Sequence, residues 1–206
     1  IHIEENLMKK IAVLTSGGDA PGMNACIRSI VLTAEHYELE VIGYKHGYNG
    51  LIDQEYKLLG PSNVTNIIQR GGTILKSGRC DDFHTEEGGR AAANNLQELN
   101  VDVLLVIGGN GSFRGAHHLC KYFKGQVIGL PGTIDNDISG TDATIGYYTA
   151  IETALDSIDK VRDTADAFGR IFLIEVMGRY AGFIALNAAV AAAADRVLVP
   201  EDCYDI

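Results

Sequence analysis

Residues 101–112 read Val-Asp-Val-Leu-Leu-Val-Ile-Gly-Gly-Asn-Gly-Ser, a nearly unbroken apolar run that gives way to glycines and then to a helical pattern. A strand that must be apolar on both faces is covered on both sides, which is the position of a parallel strand in an α/β sheet. The glycines that follow mark a tight turn, and 112–122 read as the helix it opens. Working outward, the same unit recurs. Lys10-Ile-Ala-Val-Leu14 is a short apolar run with a glycine turn after it, and Cys26, Ile27, Ile30, Val31 and Ala34 then follow at helical spacing.

Further strands are expected at 40–44, 127–130, 170–176 and 196–199, with 127–130 buried, and further helices at 86–99, 144–162 and 181–194. Ser62 is expected to cap a short helix through Ile67 and Ile68. In the 144–162 helix, Ala150, Ile151, Ala154, Leu155, Ile158 and Val161 share one face. This alternation predicts an α/β fold with a doubly wound, mostly parallel sheet, plus part of a second similar domain. The polar loop 135–144 is the expected boundary, dividing the chain into domains 8–144 and 145–206. Residues 1–7 are expected to precede a native start at Met8. The end at Asp205-Ile206, straight after an expected strand, reads as a truncation.

The 206 residues are 46% hydrophobic, enough for a substantial core, and carry 27 acidic against 17 basic side chains for a net charge of −10. That balance argues against nucleic acid or an anionic membrane as the main partner. Cys26, Cys80, Cys120 and Cys203 are widely spaced and form no C-x-x-C pair, so reduced thiols and a cytoplasmic location are expected. The longest weakly polar stretch, 180–194, is too short to span a bilayer.

Three features carry chemistry. The first is Pro131-Gly-Thr-Ile-Asp-Asn-Asp137, which follows the apolar run ending at Leu130. Asp135 can take a proton from a hydroxyl, and Asp137, two residues on, can hold Mg²⁺; phosphoryl transfer to an alcohol needs both functions. The second is a pair of glycine loops, Thr15-Ser-Gly-Gly-Asp-Ala-Pro-Gly22 and Gly108-Gly-Asn-Gly-Ser112. Backbone without Cβ atoms, at a helix N-terminus, admits a phosphate closely. Such a loop is also an ordinary βα turn. Neither is a Walker A motif. Gly109, Gly111 and Gly115 weakly resemble a dinucleotide fingerprint, but the next strand ends in Gly129-Leu130-Pro131, without the ribose-binding acid. The third is Arg79, Arg170 and Arg179, placed at expected loop and strand ends. His117-His118 flanks a helix, with no zinc-ligand spacing.

Together these segments resemble the bacterial-type ATP-dependent 6-phosphofructokinase family. The matching stretches are Leu14-Thr-Ser-Gly-Gly-Asp-Ala-Pro-Gly-Met-Asn24, Gly47-Tyr-Asn-Gly-Leu51, Arg70-Gly-Gly-Thr73, Ser77-Gly-Arg79, Ile107-Gly-Gly-Asn-Gly-Ser112, Pro131-Gly-Thr-Ile-Asp-Asn-Asp137 and Val176-Met-Gly-Arg-Tyr180. The likeness runs from about Met8 to Pro200 and implies an ATP-binding domain over 8–144 and a partial sugar-phosphate domain over 145–206.

It also implies residue roles. Asp135 is the base for the 1-hydroxyl of fructose 6-phosphate, Thr133 orients that region, and Arg179 acts at the transferring group. Gly17, Gly109, Gly111 and Ser112 lie along the ATP phosphates, with Arg79 pairing their charge and Tyr48 and Cys80 near the nucleotide. Met177, Gly178 and Arg179 contact the sugar phosphate, and Arg170 reaches the 6-phosphate of a neighbouring subunit's substrate. Asp137 and Asn110 serve Mg²⁺. A cytoplasmic homotetramer is implied. Gly at 111 and 132, where pyrophosphate-using relatives typically carry Asp and Lys, favours ATP as donor.

Three departures stand out. Asn110 replaces a usual Asp and removes one negative charge from the expected metal site. Cys80 replaces a frequent aromatic. Of the arginines that resemble the family's effector site, Arg28 and Arg162 are present, but Leu32 and Pro61 stand at two others, so weak regulation by ADP and phosphoenolpyruvate is expected. Alternatives are a nucleotide-binding regulatory paralogue with impaired catalysis and a pyrophosphate-dependent variant.

Overall fold

The structure, a computed structural model, describes residues 9–203; the expectation for residues 1–7 lies outside them. By its contacts the chain forms two compact units, one up to Gly132 and one from Thr133.

The first unit is a five-stranded sheet in the order β3-β2-β1-β4-β5. Its strands are β1 (Lys10–Ser16), β2 (Glu40–Tyr44), β3 (Tyr56–Leu58), β4 (Val103–Gly108) and β5 (Gln126–Pro131). All pairings are parallel except β2 with β3. Between the strands lie α1 (Met23–His36), α2 (Tyr48–Ile52), α3 (Glu86–Glu98) and α4 (Asn110–Leu119). Alternate strand residues serve opposite faces. Ala12, Leu14, Ile42, Tyr44, Leu104 and Val106 pack with α2, α3 and α4 in one core cluster. Met23, Ile27, Val31 and Ala34 form the buried stripe of α1. The doubly wound, mostly parallel sheet expected from the sequence is therefore present.

Local chemistry explains the helix ends. Thr85 caps α3 by accepting the Gly88 N–H at 3.0 Å, and Glu86 and Glu87 sit in its first turn, where carboxylates favour the helix dipole. Asn100, in the left-handed region at φ 52°, turns the chain out of the helix.

Several expectations need correction. Residues 61–68 form no α-helix. A short 3-10 turn covers Pro61–Val64, and its cap is Gly60, whose N–H donates to Asn63 Oδ1 at 2.9 Å, not Ser62. Thr65 is already extended, which ends the turn. The strand at 127–130 is not buried: β5 is a sheet edge, and Ile128 stays 45% exposed. Strand β3 and helix α2 were not expected; a three-residue strand and a five-residue helix are too short to show a period.

The second unit contains α5 (Tyr147–Phe168) and α6 (Phe183–Ala191). The six residues expected on one face of the long helix are all half-buried, and α5 packs on α6. The expected strands at 170–176 and 196–199 are absent. Ile171 is 100% exposed and Leu173 90%, against 43% for Phe172 and 40% for Ile174. Exposure thus alternates along the segment, but a strand exists only where a neighbour takes up its N–H and C=O groups, and among the described residues it has no ladder. No described helix is long and apolar enough to cross a membrane.

Candidate functional site

In the first unit the parallel register sets the geometry. Ser16 pairs with Gly108, and Gly108 with Pro131, so β1, β4 and β5 end level. The chain winds from β1 towards β2 on one side and from β4 towards β5 on the other. The two glycine loops therefore leave the sheet at its switch point, where open α/β sheets form a crevice.

Gly17 has φ 86°, a conformation that L side chains rarely adopt, so glycine is required there. Ser77 Oγ donates to its carbonyl at 2.6 Å, and its own N–H donates to Gly78 O at 3.4 Å. Thr15 Oγ1 donates to the Lys76 carbonyl at 2.7 Å. Asn24, buried in α1, grips the same loop twice: its Nδ2 donates to Arg70 O at 3.0 Å and its Oδ1 accepts the Ile74 N–H at 2.8 Å. These contacts pin the 70–79 loop over the first glycine turn. The sequence reading missed Thr15, Asn24 and Ser77 as supports; a buried polar residue on an otherwise apolar helix face was the available signal for Asn24.

The second loop starts its helix earlier than expected, at Asn110 with Gly109 as cap and no capping side chain. Gly111 and Ser112 thus lie in the first turn, where backbone N–H groups have no intrahelical acceptor. A Cβ on Gly111 would meet nothing within 4 Å. Ser112 is buried, and its hydroxyl donates to Ser16 O at 2.9 Å. A Cβ on Gly108 would stand 2.4 Å from Ser112 Oγ, so glycine there lets Ser112 tie β1 to α4.

Tyr48 is 4% exposed; its ring stacks on Phe83 at 4.0 Å, and its hydroxyl donates to Ser112 O at 2.6 Å. Its ring is spent in the core beneath the loop. Gly115, the third glycine of the weak fingerprint, owes its identity to this ring: a Cβ would lie 2.9 Å from it. Arg79 is exposed, and its carbonyl accepts Asn49 Nδ2 at 3.1 Å. Cys80 packs partly against the core, and burial pushes its thiol pKa up. His117 and His118 occupy the last turn of α4, with His118 Nε2 3.1 Å from Thr85 O.

In the second unit, Thr133, Asp135 and Asp137 lie on one loop. Thr133 Oγ1 accepts the Asp135 N–H at 3.3 Å. Asp135 is half-buried and Asp137 exposed. Partial burial raises the Asp135 carboxyl above its usual range, the negative charge of Asp137 adds to the rise, and the Arg179 guanidinium pulls it back. A carboxylate raised in this way is a stronger proton acceptor than an ordinary one. The Met177-Gly178-Arg179 turn is tight: Gly178 has φ 147°, and a Cβ there would meet Ala181 O at 2.4 Å. Arg179 itself sits at φ 55° with its guanidinium 5.0 Å over the Tyr180 ring. Holding a non-glycine residue there costs about 1 kcal/mol. Arg170 stacks over Phe168 at 4.8 Å. Among the described residues no group of three or more His, Cys, Asp or Glu gathers in metal-binding fashion.

The family model described as "Phosphofructokinase" matches residues 10–206. An ATP-dependent 6-phosphofructokinase of Halothermothrix orenii is 52% identical over 199 residues, covering 97% of this chain and 60% of that protein. One of Persephonella marina is 54% identical over 194 residues, covering 94% and 60%. The solved structure of phosphofructokinase from Saccharomyces cerevisiae superposes with a TM-score of 0.85 at 39% identity, covering 91% of this chain and 28% of that one. The chain thus spans about 60% of the length of the curated relatives it matches.

Proposed function

The chain belongs to the phosphofructokinase family, and from that premise we propose that its polypeptide transfers the γ-phosphoryl group of ATP to the 1-hydroxyl of fructose 6-phosphate, giving fructose 1,6-bisphosphate and ADP. The observation that carries the reading is Asp135: a half-buried carboxylate with its proton affinity raised, beside Asp137 and within the influence of Arg179.

In this reading the first unit binds the donor and the second holds the acceptor-side groups. The uncapped first turn of α4 and the glycine turn at Gly17 and Gly18 offer backbone to the ATP phosphates, and exposed Arg79 offsets their charge. Tyr48 supports that turn from below, and Ser112 contributes its backbone while its hydroxyl holds β1. The space in front of Gly111 leaves room for a nucleotide where an acidic side chain would repel it, which supports ATP over pyrophosphate.

Asp135 takes the proton of the 1-hydroxyl as its oxygen bonds to the γ-phosphorus. The bond from that phosphorus to the β-bridging oxygen breaks, and ADP departs with the electron pair. Thr133 holds Asp135 through its N–H, and Arg179 offsets charge on the transferring group. Met177 and Gly178 contact the sugar phosphate, and Arg170 serves the 6-phosphate of a substrate in a neighbouring subunit.

A Mg²⁺ ion that arrives with phosphate oxygens and water would need only one or two protein ligands. Asp137 is the charged candidate, and Asn110 is a neutral oxygen donor at the nucleotide loop. When bound, Mg²⁺ neutralises phosphate charge. The family also supports a cytoplasmic homotetramer.

The deciding experiment supplies the complete polypeptide with fructose 6-phosphate and either ATP or pyrophosphate, and follows fructose 1,6-bisphosphate. Product with ATP, abolished in Asp135→Asn, is expected. Product with pyrophosphate alone would overturn the donor assignment. A folded protein that binds ATP and yields no product would favour the regulatory reading, for which the lost charge at Asn110 is the supporting feature.

A further inference from the structure

The two aspartates of the second unit are separated by Asn136, which has φ 55°. Asn tolerates the left-handed region better than other residues with a Cβ. Its side chain also reaches across the loop. Asn136 Oδ1 accepts the Thr144 N–H at 2.9 Å, and Nδ2 donates to Asp142 O at 3.3 Å. Thr144 is only 4% exposed, and its hydroxyl donates to the Thr133 carbonyl at 2.5 Å. That hydroxyl also lies 3.3 Å from Asn136 Oδ1, but it has one proton and the shorter contact takes it. The start, middle and end of the loop that carries Asp135 and Asp137 are therefore tied at one point.

Packing does not hold this loop. Asp137, Ser139, Gly140 and Asp142 are exposed, and Ile134, Ile138 and Ala143, its apolar residues, are only half-buried. Hydrophobic burial here is too slight to fix a backbone direction, so the side-chain hydrogen bonds decide it.

We infer that Asn136 and Thr144 are positioning residues for the reaction: their brace across the loop sets the direction in which the carboxylates of Asp135 and Asp137 point. Neither residue is asked to touch substrate. The inference rests on the proposed role of Asp135 as base. A carboxylate that must meet a hydroxyl proton tolerates little displacement, and an error of about 1 Å at a reacting group costs roughly a hundredfold in rate.

The test uses the complete enzyme. Asn136→Gly keeps the backbone conformation accessible and removes both side-chain bonds. Its kcat is expected to fall roughly tenfold to a hundredfold, with a smaller change in KM for ATP, because Asp135 alone takes the proton whereas Asp137 is only one of the groups serving the donor. Thr144→Val removes the hydroxyl at nearly constant volume and is expected to lose activity in the same way; Thr144→Ser keeps the hydroxyl and is expected to stay within about threefold of wild type. Hydrogen exchange at the Thr144 amide should quicken in Asn136→Gly.

An unchanged kcat in Asn136→Gly would overturn the inference. So would equal losses in Thr144→Ser and Thr144→Val, which would make Thr144 a packing residue. If Asn136→Gly fails to fold, the two Thr144 variants decide. If the wild-type enzyme makes no product with either donor, the functional reading falls. The brace is then judged by the Thr144 amide alone, and unchanged exchange in Asn136→Gly overturns it too.

Discussion

The hydroxyl of Tyr48 donates to the carbonyl of Ser112 across 2.6 Å of buried interior, linking α2 to the first turn of α4. Ser112 passes the link on to β1 through its own hydroxyl on Ser16 O. Tyr48 is thus a strut beneath the Gly109–Ser112 turn. Tyr48→Phe keeps the ring and removes only the donor. It should lower stability by about 1 kcal/mol, read as a lower urea midpoint with an unchanged m-value. An unchanged midpoint would show that the bond contributes nothing.

Gly115 faces the same ring. In Gly115→Ala the new methyl would stand 2.9 Å from Tyr48, and the ring cannot retreat, because Phe83 stacks on it at 4.0 Å. Alanine's better helix propensity offers about 1 kcal/mol, while overpacking costs roughly 1–3 kcal/mol. Net destabilisation is expected in thermal unfolding. A rise in Tm would mean the ring has room to move.

Gly111 and Gly132 separate by the same reasoning. A Cβ at Gly111 meets open space, whereas one at Gly132 meets Ile107 Cγ2 at 2.9 Å and Met23 Cε at 3.3 Å. Gly111→Asp should therefore fold with stability within about 0.5 kcal/mol of wild type and yet use ATP poorly. Gly132→Lys should lose roughly 1–3 kcal/mol through crowding. Chemical denaturation of both, with ATP kinetics on the first, checks the pair; a destabilised Gly111→Asp would contradict it.

Asn110→Asp restores a charge at the first turn of α4. An added charge contact about 4 Å away contributes about 1 kcal/mol at the dielectric of bulk water, roughly fivefold in affinity. The Mg²⁺ concentration for half-maximal activity should fall by about that factor if Asn110 serves the cation. An identical activation curve would mean that Asp19, Asp135 and Asp137 already suffice.

Arg28 Nη1, expected from the resemblance to serve an effector, donates to the Val64 carbonyl at 2.8 Å, and Leu32, one turn along α1, offers no charge. Titration of the complete enzyme with ADP or phosphoenolpyruvate should leave the fructose 6-phosphate saturation curve nearly unmoved. A strong leftward shift with ADP would refute this.

The sequence by itself determined the parallel strands of the sheet and the chemistry-bearing loops. Runs such as 101–107 are apolar on both faces only in a covered parallel strand, and Gly-Gly-Asn-Gly after a strand announces a tight turn into a helix whatever lies around it. The acidic pair was legible for the same reason, since residue type and spacing already define its chemistry. Tertiary structure decided everything that depends on a partner distant in sequence. The 170–176 segment has strand composition and alternating exposure but no ladder, because hydrogen-bond pairing belongs to two segments and not to one. Asn136 and Thr144 are unremarkable letters in a polar loop until the fold brings the N–H of Thr144 within 2.9 Å of Asn136 Oδ1. Tyr48 reveals its role only when Ser112 arrives beneath its hydroxyl. Local pattern encodes what a residue is able to do; contact across the chain selects which of its donors, acceptors and faces are used.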